Sequence, residues 1–399
     1  MKLIKRHRKK IVIFSFLSFL QFLIVSQFFI KESEDINLSK VLEKRTKAIE
    51  LKRQKDSILS VRIVTSEIEV LLNDAVDKKG FNGSVLVAKN GKILFDNEYG
   101  FTNFSDKVKL SPNSNFQLAS VSKQFTAVAT MMLVDQNLIG IDDSIICYYP
   151  DFPYKNITVR HLLNHTSGLP MYFWLAEHKW KDKKPPSNSE MMDLVIEEKL
   201  REFFWPGRRF DYSNTGYFVL ASLVEKVSEM PFKVFVKKNI FEPLEMNASF
   251  IYQYSEDTIR STQLTGFRRR GRRRYEIGGT VNDRITGDKN VYSTTHDLLK
   301  WINGLNSGRL VSKESLDQMY TKGYTKRGRE VPYGFGFRIV EYDSGKLIYH
   351  NGTWNGFRTT IRQYLESDIV VIILENSSFR GVSKLANELQ HIVNENYCF

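Results

Sequence analysis

Residues 11–30 (IVIFSFLSFLQFLIVSQFFI) carry no charge, and only Ser15, Ser18, Gln21, Ser26 and Gln27 are polar. A helix of that length, at about 1.5 Å per residue, reaches about 30 Å, one bilayer core. The stretch is longer than a usual signal-peptide core. Bulky Phe and Gln also stand where a small-residue cleavage site would fall. The pattern predicts a transmembrane signal-anchor rather than a cleaved leader, and both would export the rest of the chain. No cysteine follows closely, so a lipoprotein anchor is not expected. No later apolar run is long enough for a second span. Residues 31–60 mix dense charge with sparse Leu and Ile and predict a solvated helical stalk or linker. No a/d pattern lasts long enough there to require a coiled coil.

The body, residues 61–399, alternates between two periodicities. Residues 61–76 have a helical period. Residues 84–89 and 92–98 alternate as strands around Asn90-Gly91, a hairpin signal. Helical stretches follow at 120–137, 159–163, 189–198, 217–227 and 231–240, with a long polar loop at 175–187. The strand period returns at 334–341, 346–350, 357–365 and 369–374, and a helix closes the chain at 382–394. Strands near both ends can form one antiparallel sheet flanked by helices, with a helical subdomain of about residues 120–285 inserted between them. The class is α+β.

Composition narrows the reading. Hydrophobic residues make up 42% and charged residues 26%, which excludes a disordered, collagen-like or many-pass membrane chain. Two cysteines, Cys147 and Cys398, give neither a disulfide framework nor a cysteine-rich zinc site. The net charge of +13 is concentrated in two places. Residues 1–10 carry six Lys and Arg, which places them in the cytoplasm and the body outside, on the periplasmic side if the host has an outer membrane. The run FRRRGRRRYEIG (267–278) carries six arginines at 268–274, and the rest is nearly neutral. Nucleic acid is therefore not an expected partner. The arginine run predicts a solvated turn, with an anionic envelope partner as its functional alternative.

Several chemistries lack their motifs. There is no G-x-S-x-G elbow, no phosphate-binding or dinucleotide glycine loop and no H-E-x-x-H, and no metal or cofactor is expected. What is present is Ser120-Val121-Ser122-Lys123 in FQLASVSKQFTAVATMML. At i and i+3 on a helix, the hydroxyl of Ser120 and the amine of Lys123 share a face. A serine needs a base to become a nucleophile, and an amine one turn away can accept or relay its proton. Tyr212-Ser213-Asn214 follows just before a helix, with Tyr212 and Asn214 alternating outward. His350-Asn351-Gly352-Thr353 then ends a strand, and its glycine lets a substrate backbone approach the strand edge. Nucleophile, proton shuttle and donor strand together meet the needs of acyl transfer.

At these residues the chain resembles the serine β-lactamase and penicillin-binding superfamily. The resemblance is to the branch with Tyr-x-Asn and His-x-Gly, that is class C β-lactamases, D-Ala-D-Ala carboxypeptidases and related esterases. LLNHTSGLP (162–170), IGIDDSIICYYPDFP (139–153), GDKNVYSTTHDLLKW (287–301) and YGFGF (333–337) extend it over about residues 65–395. The resemblance implies a β-lactamase/transpeptidase-like fold, an acylated Ser120, and Lys123 holding its proton network. Tyr212 would be the base or its partner, its phenol acidified by a nearby ammonium. Asn214 would hold Lys123 and the substrate amide. Ser120 and Thr353 N–H groups would form the oxyanion hole, beside Gly352. His350 stands where many relatives have Lys, which weakens the expected grip on a substrate carboxylate. His165 is expected to fix its loop rather than react. D-Ala peptides, β-lactams and small esters are the implied substrates. The alternative is a non-catalytic module that senses or binds an envelope ligand.

Overall fold

The computed structural model describes residues 2–254, 256–270 and 273–397. Within the first helix, side chains are described only for residues 20–28, 31, 40, 42–55 and 57–79. Two compact units are distinguished, the larger being Val64–Asn396. The helix α1 spans Lys2–Lys79 and includes residues 11–60. Most of the expected membrane span falls on side chains outside the described residues. Among the described residues no helix is long and apolar enough to cross a membrane.

The larger unit is built on a six-stranded antiparallel sheet. Its strands are β1 (Gly83–Lys89), β2 (Lys92–Tyr99), β3 (Arg338–Tyr342), β4 (Gly345–Trp354), β5 (Phe357–Tyr364) and β6 (Ile369–Glu375). The spatial order is β3-β4-β5-β6-β1-β2, so β6 joins the two ends of the chain. Gly83 pairs with Glu375 and Lys89 with Ile369. The sheet is thus the α+β arrangement expected from the strand periods at both ends.

Alternation along the strands separates two apolar faces. Leu86 and Ala88 of β1 join Ile372 and Leu374 of β6 in the main core. That core also takes α2 (Lys123–Asp135), α3 (Asn214–Ser228) and α4 (Thr295–Asn306). Val85, Val87, Val371 and Ile373 point the other way and are equally buried. There α5 (Val382–Asn396) packs on β5 and β6 through Leu385, Ala386 and Leu389. The end of α1 buries Val64, Ile68, Leu72 and Ala75, a spacing that keeps them on one stripe.

α2 is the central helix. Every residue from Lys123 to Met131 is buried, and Phe125 stacks on Trp301 of α4 at 4.2 Å. A continuous polar-free stripe is not needed here, because the helix is enclosed on all sides and its buried Gln124 and Thr126 side chains bond neighbouring elements. Thr126 donates to the Gly287 carbonyl at 2.5 Å, and Gln124 accepts from Trp301 at 3.1 Å.

Some boundaries differ from the sequence reading. The strand expected from 334 begins at Arg338, because Gly336 takes φ +85° and Gly334 N–H bonds Phe337 O, making a turn. The helix expected from 217 begins at Asn214, where the Ser213 hydroxyl accepts Gly216 N–H as a cap. Residues 172–178 are helical, so the polar loop is shorter than expected. The arginine run is a hairpin, Gly266–Arg270 paired with Arg273–Ile277, rather than a bare turn. Gly271, Arg272 and Cys398 lie outside the described residues.

Candidate active site

Ser120 sits in a tight 3-10 turn, Ala119–Ser122, that feeds directly into α2. Ala119 is held at φ +51°, a conformation an alanine adopts at a cost of about 1–2 kcal/mol. The strain turns the chain sharply, so Ser120 stays partly exposed while Ala119 and Val121 are fully buried. Lys123, the first residue of α2, is completely buried. Its Nζ donates to Ser120 Oγ at 3.2 Å, to Asn214 Oδ1 at 2.8 Å and to the Asp288 carbonyl at 2.8 Å. All three ammonium protons are therefore directed. Desolvation pulls its pKa down to about 7; the Asp288 carboxylate opposes that shift and the Arg338 guanidinium adds to it.

The Tyr212 hydroxyl is buried beside this group with no partner of normal hydrogen-bond geometry. Burial raises its pKa, which the Ser120 hydroxyl and Arg338 only partly offset. This corrects the expectation of an acidified phenol. Lys123 Nζ lies 5.0 Å from the Tyr212 ring centroid, over its face, so the charge meets the ring rather than the oxygen. Tyr212 is held by His165, which is fully buried at φ +59°. Its Nδ1 accepts Ser213 N–H at 3.1 Å, and its ring packs 4.2 Å from that of Tyr212. Burial and nearby cations keep His165 neutral, so it fixes the loop as expected.

The structure places His350 differently from its expected role. It is 1% exposed, its Nδ1 donates to the Asn351 carbonyl at 2.7 Å, and its Nε2 accepts from the Tyr333 hydroxyl at 2.9 Å. Both nitrogens are occupied, and burial holds the ring neutral. It buttresses Tyr333 and contacts no open space through a free donor. Gly352 and Thr353 lie on β4, past the end of β3, whose last pair here is Arg338 with Tyr349. From His350 onward that edge of β4 has no strand beside it among the described residues. A Cβ on Gly352 would lie 2.1 Å from the Leu118 carbonyl, so only glycine lets β4 approach the turn that carries Ser120.

Sequence reasoning missed two charged groups. Arg338 follows YGFGF directly. Its guanidinium lies 5.2 Å from the Tyr212 ring and 6.0 Å from that of Tyr333, and it forms no ion pair among the described residues. It acts electrostatically on Lys123, Tyr212, His165 and His350 alike. The buried pair Asp288–Lys289 lies behind Lys123, with Lys289 Nζ 2.6 Å from Tyr172 Oη and 3.3 Å from Asp288 Oδ1. The stretch GDKN gave the only hint of it. A small cavity of about 90 Å³ opens beside Tyr212 and Asn214, lined by Leu169, Met171, Phe173 and Phe204. Among the described residues no group of His, Cys, Asp and Glu could hold a metal ion.

Known proteins share this organisation. Residues 71–394 match the family described as Beta-lactamase. Penicillin-binding protein 4* of Bacillus subtilis (strain 168) is 32% identical over 330 residues, 77% of this chain and 71% of that protein. The octameric penicillin-binding protein homologue from Pyrococcus abyssi superposes with a TM-score of 0.70 at 26% identity, over 83% of this chain and 77% of the other. The D-amino acid amidase of Ochrobactrum anthropi SV3 has the same fold, with a TM-score of 0.68 at 22% identity, over 82% of this chain and 98% of that one. With a turn-borne serine, a buried lysine and a glycine-bearing strand in one cleft, and with these matches across the larger unit, the chain belongs to the β-lactamase family of penicillin-binding-type serine hydrolases.

Proposed function

We propose that this chain is a membrane-anchored serine hydrolase that works through an acyl-enzyme on D-Ala peptides, β-lactams or small esters. The reading is carried by Lys123, a buried amine with a pKa of about 7, 3.2 Å from Ser120 Oγ. Near neutral pH a substantial fraction is uncharged and has a lone pair for the serine proton. Ser120 Oγ then bonds to the substrate carbonyl carbon as its proton passes to Lys123. The bond to the leaving group breaks, and the leaving nitrogen or oxygen takes a proton through the Tyr212 hydroxyl, which burial keeps protonated. Water releases the acid from Ser120. Asn214 orients Lys123 and the substrate amide, and the N–H groups of Ser120 and Thr353 receive the oxyanion. His350 keeps Tyr333 in place. Residues 11–30 supply the anchor, with the body outside the cytoplasm.

Intact mass after incubation with a fluorescent penicillin, read beside nitrocefin turnover, tests this. Wild type should gain one acyl adduct, and Ser120→Ala should gain none. The rate of acylation should rise with pH through about 7, as Lys123 loses its proton. Turnover of nitrocefin would assign β-lactamase activity, and a lasting adduct a penicillin-binding protein. A chain inert to penicillin, p-nitrophenyl esters and D-amino-acid peptides would overturn the enzyme reading in favour of a binding module.

A further inference from the structure

The hairpin Gly266–Arg270/Arg273–Ile277 carries a charge arrangement that does not stabilise it. Arg269 pairs across the ribbon with Arg274, and Arg270 with Arg273. Like charges directly opposed on two strands repel. Alternation divides the hairpin into two faces. On one face, Phe267 is buried and packs edge-on against Phe104 at 4.8 Å. Arg269 and Arg274 share that face. Arg269 Nη1 donates to the Lys79 carbonyl at 3.1 Å and Arg274 Nη2 to the Gly80 carbonyl at 3.3 Å. They cap the carbonyl end of α1, and the Arg274 guanidinium lies 4.1 Å from the Phe104 ring centroid. This face docks the hairpin on the larger unit and fixes its orientation.

The other face therefore points away. It holds Arg268, Arg270 and Arg273, all exposed, with Tyr275 opposite Arg268. None of the three arginines has a partner among the described residues. Glu276, the one acid of the hairpin, is exposed but lies by alternation on the face opposite these arginines, across from Phe267. Three guanidiniums without a partner among the described residues thus stand on one face of the ribbon. Arg268 and Arg270 are about 6.7 Å apart along the strand, and Arg270 and Arg273 about 5 Å apart across it.

We propose that this outward face is a docking surface for a linear phosphodiester polymer. The planar guanidinium fork suits phosphate oxygens bidentately, and every cation in the hairpin is Arg. A compact patch of single positive charges fits a flexible backbone with one negative charge per repeat. A bilayer surface is a poorer match, because beyond Tyr275 and the half-buried Ile277 the face offers no apolar side chain to enter it. The polymer would be held at a fixed place on the same unit as the cleft, so the hairpin adds binding without taking part in the chemistry.

The test uses the full chain in detergent and a fluorescent abasic deoxyribose-phosphate 20-mer, which presents phosphodiesters without bases. Wild type should bind in a salt-dependent way. The triple variant Arg268→Gln, Arg270→Gln, Arg273→Gln should bind at least tenfold more weakly at 50 mM salt. Its slope of log affinity against log salt should be shallower by about 2, as expected for three lost contacts to a single strand. The control variant Arg201→Gln, Arg309→Gln, Arg327→Gln removes the same charge elsewhere and should bind like wild type. Equal melting temperatures establish that both variants are folded. Equal affinity of the two triple variants would overturn the proposal. So would equal binding of polyglutamate, or binding seen only with phosphatidylglycerol vesicles.

Discussion

Arg338 and His350 stand on neighbouring strands beside Tyr212 and Tyr333, one charged and one neutral. His350 is neutral, enclosed and saturated with hydrogen bonds, so it offers no charge to an anionic substrate. Arg338 lies over Tyr212 and Tyr333 with no carboxylate partner among the described residues, a cation on the neighbouring strand. A charge-assisted hydrogen bond is worth about 1.5–3 kcal/mol. Arg338→Gln should therefore raise KM for a substrate bearing a carboxylate by about tenfold or more, and leave KM for a neutral p-nitrophenyl ester little changed. The same guanidinium depresses the Lys123 pKa. Its removal should move the acid limb of the pH–rate profile to higher pH. Steady-state kinetics on the two substrates across pH 5–9 reads both effects, and an equal loss on both substrates would assign Arg338 a structural part only.

At the scale of elements, the cleft depends on how closely β4 meets the turn that carries Ser120. The Leu118 carbonyl and the Thr359 hydroxyl fill the space where a Cβ at 352 would sit, 2.1 and 2.3 Å away. Gly352→Ala must push the strand and the turn apart, at a cost of about 1–3 kcal/mol for an overpacked site. The expected result is a lower melting temperature together with at least a tenfold loss of acylation rate, measured on the same preparation. A stability loss with full acylation would mean that the contact does not position Ser120. In the sequence the glycine reads as room for a substrate backbone, whereas the atoms that fill the space are the chain's own, because Leu118 lies far away along the chain and leaves no local sign. The same limit explains the other differences. Ser120, Lys123, Tyr212 and Asn214 could be found because they sit in short local patterns on helix starts. Arg338 and Asp288 act on Lys123 only through tertiary placement, which leaves no periodic trace. The pKa direction of Tyr212 was misjudged because charge proximity can be guessed from motifs, whereas desolvation cannot.

At the scale of the whole molecule, one buried acid at the end of the central strand β6 couples stability to pH. Glu375 ends β6 and accepts hydrogen bonds from Ser377 N–H at 2.6 Å, from Phe379 N–H at 3.0 Å and from the Ser377 hydroxyl. Burial outweighs these donors and raises its pKa from 4.5 to about 8. The native state then holds a proton that the unfolded chain releases above 4.5. Stability should fall as pH rises from about 4.5 to 8 and level off beyond, by on the order of a few kcal/mol. Urea midpoints at pH 5 and 8 measure this, and Glu375→Gln should flatten the difference; an unchanged slope would place the titration elsewhere. The seam that Glu375 closes also joins residues far apart in the chain, as where the Asn82 amide donates to Asn376 at 2.7 Å across 294 positions. β1 lies early in the sequence, and the strand paired with its open side is β6, far downstream. Until that strand arrives the sheet has no middle. Such a long-range pairing is slow to form, and it leaves the edge of β1 open to chaperones and proteases until β6 is available.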